Sequence, residues 1–238
     1  MRKIMFLLFG LFVSTANAEA INVNWIVDGE TYDTTTCNAG DDLILPSPPT
    51  KYGYTFQGWA LYTPIEYLES TGTQWIDTEI QGPVRWVGSA QASRNTTRSQ
   101  VVLMGNVSGA AGTFVGSVAD KNKWTTWGTD DTGYPITSAQ VFDLTWTNTG
   151  VSGTIGVTNI NHDYTQGLLG TWKICSSNSS YPFAGKLYYF KAYQNGVVVR
   201  DFIPVLDQDG VPCMFDKVSS LFFYSVGTGG FIAGPVIE

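Results

Sequence analysis

Histidine is almost absent from this chain, cysteine is scarce and charge is thin. The 238 residues contain one histidine, His162, and three cysteines, Cys37, Cys175 and Cys213. That count excludes zinc sites built from several histidines or cysteine pairs. It also leaves a Ser-His-Asp or Cys-His device only His162, in the turn-like run Asn161-His162-Asp163 with nothing nearby to orient it. No residue is assigned a catalytic role. Charged residues make up 14%, and 13 Lys and Arg face 20 Asp and Glu for a net charge of −7. A field of that sign repels phosphate backbones and anionic lipid, so a nucleic-acid partner is excluded. No later stretch reaches the roughly 20 consecutive apolar residues that a membrane-spanning helix needs, and no span is expected in the mature chain.

The first residues read as a secretory leader. Arg2 and Lys3 are followed by an apolar run from Ile4 to Val13, broken by Gly10, and then by the small-x-small step Ala16-Asn17-Ala18. Glu19, not cysteine, comes next, so no lipid anchor is expected. Residues 1–18 are thus expected to be removed, which takes two cations and moves the charge to −7 − 2 = −9. The chain is expected to be exported, whether secreted, periplasmic or held at the surface. The full 238 residues are 43% hydrophobic with 26 glycines, a profile of an all-β protein with many turns rather than of a disordered chain.

Strand signals dominate. Ile21 to Val27 alternates apolar and polar residues, Asp28-Gly29 supplies a hairpin turn, and Glu30 to Thr36 returns as the partner strand. Pro46-Ser47-Pro48-Pro49 cannot be interior strand or helix. Gly53 to Trp59 closes this unit with Tyr54 and Phe56 at period two. From Pro64 onward, short strands alternate with turn clusters, among them Val101–Met104, Thr113–Val115 and Val141–Trp146. Lys186 to Tyr193 alternates, placing Tyr188, Phe190 and Ala192 on one face and Leu187, Tyr189 and Tyr193 on the other. Asn195-Gly196 then fits a two-residue turn before Val197 to Val205. No helical periodicity appears.

The run from Trp25 to Trp59, ending in LP-x-PPTK-x-GYTF-x-GW, resembles the internalin-type B-repeat of bacterial surface proteins, a small β-grasp-like module. Such repeats end in one more strand, whereas this chain leaves at Ala60, so the unit of residues 19–63 looks truncated. About 40 residues without metal or disulfide seldom hold a fold alone, and the unit is expected to pack on the domain C-terminal to it. The later region resembles concanavalin-A-like (laminin-G-like) jelly-roll domains of secreted bacterial and phage proteins. Its opening strand, Ile65-Glu66-Tyr67-Leu68-Glu69-Ser70-Thr71-Gly72-Thr73-Gln74 followed by Trp75-Ile76-Asp77-Thr78, carries the likeness. So does its ending, GKLYYFKAY, VRDFIPV, PCMFDKVS and GTGGFIAGP. The fold expected is therefore all-β, a small β-grasp-like unit followed by a jelly-roll β-sandwich over residues 64–238. Fold of this kind does not fix function, because the same sandwich hosts lectins, adhesion modules and glycosidases.

Four constellations have both a functional and a plain structural explanation. Glycosidases of this sandwich type carry Glu-x-Asp-x-Glu on one strand face, and here Trp75 stands in the first place before Asp77 and Glu79. Sequences resembling this strand commonly carry glycine at the position of Glu79, so the pair reads as a solvated face. Asp207 and Asp209, in Asp207-Gln208-Asp209-Gly210, offer calcium two oxygens and a turn glycine but lack the further ligands of a full loop. Calcium is the one cofactor the sequence leaves open. Trp124 and Trp127, beside Asn122, suit a carbohydrate platform in which indole stacks on a sugar face. The alternative is that these tryptophans are core and rim. Cys175 and Cys213 are either bridged or buried as free thiols. The leading expectation is recognition of a glycan or surface protein by the sandwich. A structural envelope or phage-derived assembly module and a divergent glycoside hydrolase using Asp77 and Glu79 are the alternatives.

Overall fold

The computed structural model of the chain describes residues 2–9, 20–27, 30–38, 41–92, 100–108, 111–118, 123–126, 132–163, 168, 170–175 and 183–237. Within them the chain is all-β, with no helix. The first four strands are β1 (Arg2–Phe9), β2 (Ala20–Val27), β3 (Glu30–Asn38) and β4 (Tyr54–Pro64). Next come β5 (Leu68–Thr71), β6 (Ile76–Gln81), β7 (Val84–Ala92), β8 (Gln100–Ser108), β9 (Ala111–Val118) and β10 (Thr125–Thr126). The middle of the chain forms β11 (Gln140–Trp146), β12 (Gly150–Ile155), β13 (Thr158–Asp163) and β14 (Thr171–Ile174). The last are β15 (Ala184–Gln194), β16 (Val197–Asp207), β17 (Pro212–Asp216), β18 (Leu221–Phe223) and β19 (Ile232–Ala233).

These strands form two sheets. The larger runs β13-β12-β11-β7-β15-β16-β4-β1-β2-β3, with β5 on β15 and β19 on β5, and with β17 on β16 and β18 on β17. The smaller runs β10-β9-β8-β14-β6. The two sheets enclose one main core. Alternation sets it: in β7, Val84, Trp86 and Ala90 point in, while in β14 Trp172 and Ile174 do so. Trp146 of β11 meets Trp172 across the sheets with ring centroids 4.9 Å apart. At about 25 cal/mol per Å² each such indole stabilises by about 5 kcal/mol, an upper bound because the unfolded chain already hides some of it. Gly88 makes room for the meeting of Phe142 and Phe190, whose centroids lie 5.8 Å apart, since a Cβ there would stand 2.6 Å from Phe142.

The N-terminal hairpin forms as its pattern predicts. β2 and β3 pair antiparallel, with Val27 opposite Glu30, and Asp28-Gly29 itself lies outside the described residues. Val23 and Trp25 pack with Cys37, Leu43 and Trp59 into a small separate core. The apolar run read as a leader takes the form of β1, antiparallel to β2 and parallel to β4, and the step at Ala16-Asn17-Ala18 lies outside the described residues. The unit is not tethered by a loose linker. β4 runs unbroken to Pro64, and its end pairs with β16 through Val205–Pro64, Leu206–Thr63 and Asp207–Tyr62. Tyr62 there packs with Val205, Cys213 and Phe215.

Asn195 and Gly196 hold φ of 52° and 77°, the pair of positive values that a type I′ turn requires. The expected alternation in β15, however, is broken. A bulge between Leu187 and Tyr189, against β7, turns Leu187 inward with Phe190 and Ala192, and sends Tyr188 to the outer face. His162 lies in β13 rather than in a turn.

Candidate functional site

The candidate platform at Trp124 is corrected by its burial. Trp124 is 2% exposed, its indole N–H donates to the Ser138 carbonyl at 3.1 Å, and its ring lies 6.4 Å from that of Phe183. A ring so enclosed is core and offers no face to a sugar. Trp127 and Asn122 lie outside the described residues. The Cys175–Cys213 bridge is also corrected. Both are free and fully buried, Cys175 in the main core and Cys213 in the cluster around Tyr62. Burial pushes the Cys213 thiol up to about 12, and that of Cys175 further.

Asp207 is committed to its own turn. Its Oδ1 accepts the Asp209 and Val211 N–H groups at 2.9 and 2.8 Å, and its Oδ2 accepts the Tyr224 hydroxyl at 2.7 Å. Asp209 lies exposed beside it, and no group of three His, Cys, Asp or Glu that could hold a metal occurs among the described residues. A hard cation wants six to eight oxygens, and this pair does not fit one. Asp77 and Glu79 do not face each other across a groove. Asp77 Oδ1 accepts the Glu79 N–H at 3.0 Å, while Asp77 Oδ2 accepts the Thr171 hydroxyl at 3.0 Å. The Glu79 side chain is 70% exposed and meets Arg200 at 3.4 Å.

What the structure does gather is a row of tyrosines and cations on the outer face of the larger sheet. In the register of β7 with β15, the inward pairs are Trp86–Ala192, Gly88–Phe190 and Ala90–Leu187. The outward pairs are Arg85–Tyr193, Val87–Lys191, Ser89–Tyr189 and Gln91–Lys186. Because of the bulge, Tyr188 joins Tyr189 on the outside, and its hydroxyl donates to Gln91 Oε1 at 3.2 Å. Tyr67, just before β5, stands edge-on to Tyr188 with centroids 6.0 Å apart. Lys186 Nζ sits 4.0 Å from the Tyr67 ring centre, and the Arg85 guanidinium lies 5.1 Å from that of Tyr193.

Two of the cations on this face are held by carboxylates, and Lys186 lies over the Tyr67 ring. Arg85 makes a two-point contact with Asp143 at 2.7 and 2.6 Å, and Lys191 reaches Asp201 at 3.0 Å. These carboxylates hold the Arg85 and Lys191 charges above their ordinary range. The face therefore presents aromatic rings, amides, hydroxyls and paired charges. That mixture suits a ligand with apolar C–H faces and many hydroxyls. Sequence reading missed it because strict alternation put Tyr188 inside. The signal that could have found it was the doubled tyrosine in Leu187-Tyr188-Tyr189-Phe190, which strict alternation cannot keep on one side.

Fold and face together define an all-β protein with a two-sheet body and an aromatic outer surface. The family profile of the Listeria-Bacteroides repeat domain matches residues 22–78. Repeats of this kind occur in bacterial surface or exported proteins, and the chain is compatible with that setting. The match runs past the expected boundary at residue 63 into β5 and β6, whose partners β15, β19 and β14 all belong to the sandwich. No curated protein matches the chain. Among the described residues no helix is long and apolar enough to cross a membrane.

Proposed function

We infer that this is an exported, non-catalytic surface protein whose sandwich, a concanavalin-A-like jelly roll in our reading, binds a glycan. The N-terminal repeat acts as its rigid support. The observation that carries this is the outward row of Tyr67, Tyr188, Tyr189 and Tyr193, with Tyr189 38% exposed, set among Gln91, Lys186 and Arg85. The contacts these rings make with one another and with Lys186 and Arg85 hold them in place and still leave Tyr189 open to a ligand. The commitment of Asp77 to Thr171 and to its own strand supports the non-catalytic part, because acid–base work on a glycosidic bond needs two carboxyl groups flanking it.

The test is a polysaccharide array followed by calorimetry on the whole protein. Replacing Tyr188 and Tyr189 together by alanine should weaken binding about ten-fold or more, with little change in melting temperature because both rings lie outside the core. If no polysaccharide binds the parent protein, or the double variant binds as well as the parent, the reading is wrong.

A further inference from the structure

The opposite sheet carries a second face of different chemistry. In β6, Ile76, Thr78 and Ile80 point into the core, which leaves Asp77 and Glu79 outward, while Trp75, just before the strand, lies at the margin of the main core. Trp75 is half-buried and fixed from behind. Its carbonyl accepts the Val226 N–H at 2.8 Å, and Gly227 leaves space for the ring, because a Cβ there would stand 2.8 Å from Trp75 Cδ1. Lys173 Nζ lies 5.6 Å from the centre of the Trp75 ring. The same ammonium donates to Thr171 Oγ1 at 3.2 Å, and Thr171 Oγ1 donates to Asp77 Oδ2 at 3.0 Å, with Lys173 and Asp77 3.9 Å apart. An indole thus stands beside a connected ammonium, hydroxyl and carboxylate. Glu79 with Arg200 comes next along the strand.

Glu79 adds an independent point. Its φ is 61°, a left-handed backbone that costs a residue with a Cβ about 1–2 kcal/mol and a glycine nothing. The side chain kept at that cost is 70% exposed and holds Arg200 only at 3.4 Å.

We propose that this ribbon is a second binding site, separate from the tyrosine face, for a neutral hexose polymer. Trp75 stacks on the C–H face of one sugar. Lys173, Thr171 and Asp77 take its hydroxyls, and Glu79 with Arg200 takes those of the next. The ligand is neutral because each cation of the ribbon is already held by a carboxylate, Lys173 by Asp77 and Arg200 by both Glu79 and the buried Asp216. A hydroxyl donates and accepts at once, so it can enter either pair without stranding a charge. An anionic polymer would have to pull a cation away from its carboxylate, in a chain whose net charge is −7. The tyrosine face lies on the larger sheet and the ribbon along the edge strand β6 of the smaller, with Arg200 reaching it from β16, so one polymer chain on each can be held together.

The experiment is calorimetry on the whole protein carrying Tyr188→Ala and Tyr189→Ala, so that only this ribbon is read. The probes are short β-1,3-glucan, mannan and galactan oligomers, with a carboxymethylated glucan as the anionic counterpart. At least one neutral probe should bind, and the anionic one should bind more weakly. Adding Trp75→Leu should weaken binding about ten-fold. Adding Glu79→Gly should weaken it several-fold without lowering the melting temperature, which keeps the test decisive even if Trp75→Leu melts early. Absence of neutral binding, preference for the anionic probe, or unchanged binding in the Glu79→Gly protein overturns the proposal. Failure of the tyrosine face would appear instead as equal binding by the parent and the double tyrosine variant.

Discussion

The hydroxyl of Thr73 donates to the carbonyl of Thr228 at 2.7 Å, closing a separation of 155 residues. The Thr228 N–H returns to the Thr73 carbonyl at 3.1 Å. The first turn of the sandwich and its last loop therefore fasten each other, and they come from the two stretches that carry the jelly-roll resemblance. Gln74 completes the turn from within, its Oε1 accepting the Thr71 N–H at 2.8 Å and meeting the Ser70 hydroxyl at 3.2 Å.

Gly227 sits inside this clasp with no room to spare. A Cβ there would fall 1.9 Å from the Thr73 carbonyl oxygen. Gly227→Ala should therefore cost about 3 kcal/mol by overpacking against backbone, read as a drop in the denaturant midpoint. A melt like that of the parent would show that the loop is not held as described.

Stability should fall on the alkaline side. Burial pushes Cys213 from 9.0 to about 12 and Tyr62 from 10.0 to about 12. As pH rises, the unfolded chain releases these protons first, so it binds fewer than the folded chain and folding loses ground. The stabilisation is complete below about pH 9 and disappears between there and about 12. Denaturant midpoints measured across that window should decline, and Tyr62→Phe should flatten the slope. In the native protein a thiol reagent should leave Cys175 and Cys213 untouched until the chain is unfolded.

Asp216 is a fully buried carboxylate that organises the β17–β18 turn. It accepts the N–H groups of Asp201, Val218 and Ser219 at 2.7, 3.1 and 3.2 Å, and the Ser219 hydroxyl at 2.6 Å. Arg200 Nε stands 3.7 Å away and donates to the Thr78 carbonyl at 3.2 Å, tying the larger sheet to the edge of the smaller. Asp216→Ala leaves several donors and a guanidinium without their acceptor. It should cost about 3–5 kcal/mol, and Arg200→Met should cost less; equal melts for Asp216→Ala and the parent would refute this role.

The outer edge of β3 is guarded. The Thr34 N–H is taken by Asp33 Oδ1 at 2.8 Å and the Asn38 N–H by Asp41 Oδ2 at 3.0 Å. These caps occupy donors that a strand from another copy would need. Light scattering of a protein carrying Asp33→Val and Asp41→Val should show self-association absent from the parent. If both stay equally monodisperse, the caps do not matter.

The sequence made the hairpins legible because their turns are chemically explicit. Asn195-Gly196 tolerates the two positive φ values it adopts, and Val23 and Trp25 of β2 are buried as their alternation with Asn22 and Asn24 predicts. It misled where one residue shifts parity. The bulge at Tyr188 reversed the faces of the start of β15; the doubled tyrosine hints at it, and the pairing with β7 fixes where it falls. Trp124 misled for another reason. Its polar neighbours suggested solvent, but Thr125 and Thr126 are themselves 2% and 0% exposed, and the Thr125 hydroxyl donates to the Thr126 carbonyl at 2.9 Å. The expectation that Glu79 occupies a place suited to glycine agrees with its φ of 61°.

An unbroken β4 has a mechanical meaning. A strand shared by the repeat and the body leaves no hinge at residue 63, so tension applied at one end loads the rungs joining Tyr62–Pro64 to Val205–Asp207 in shear, all together. A polymer gripped by the body would then be carried at a set angle, as on a bracket.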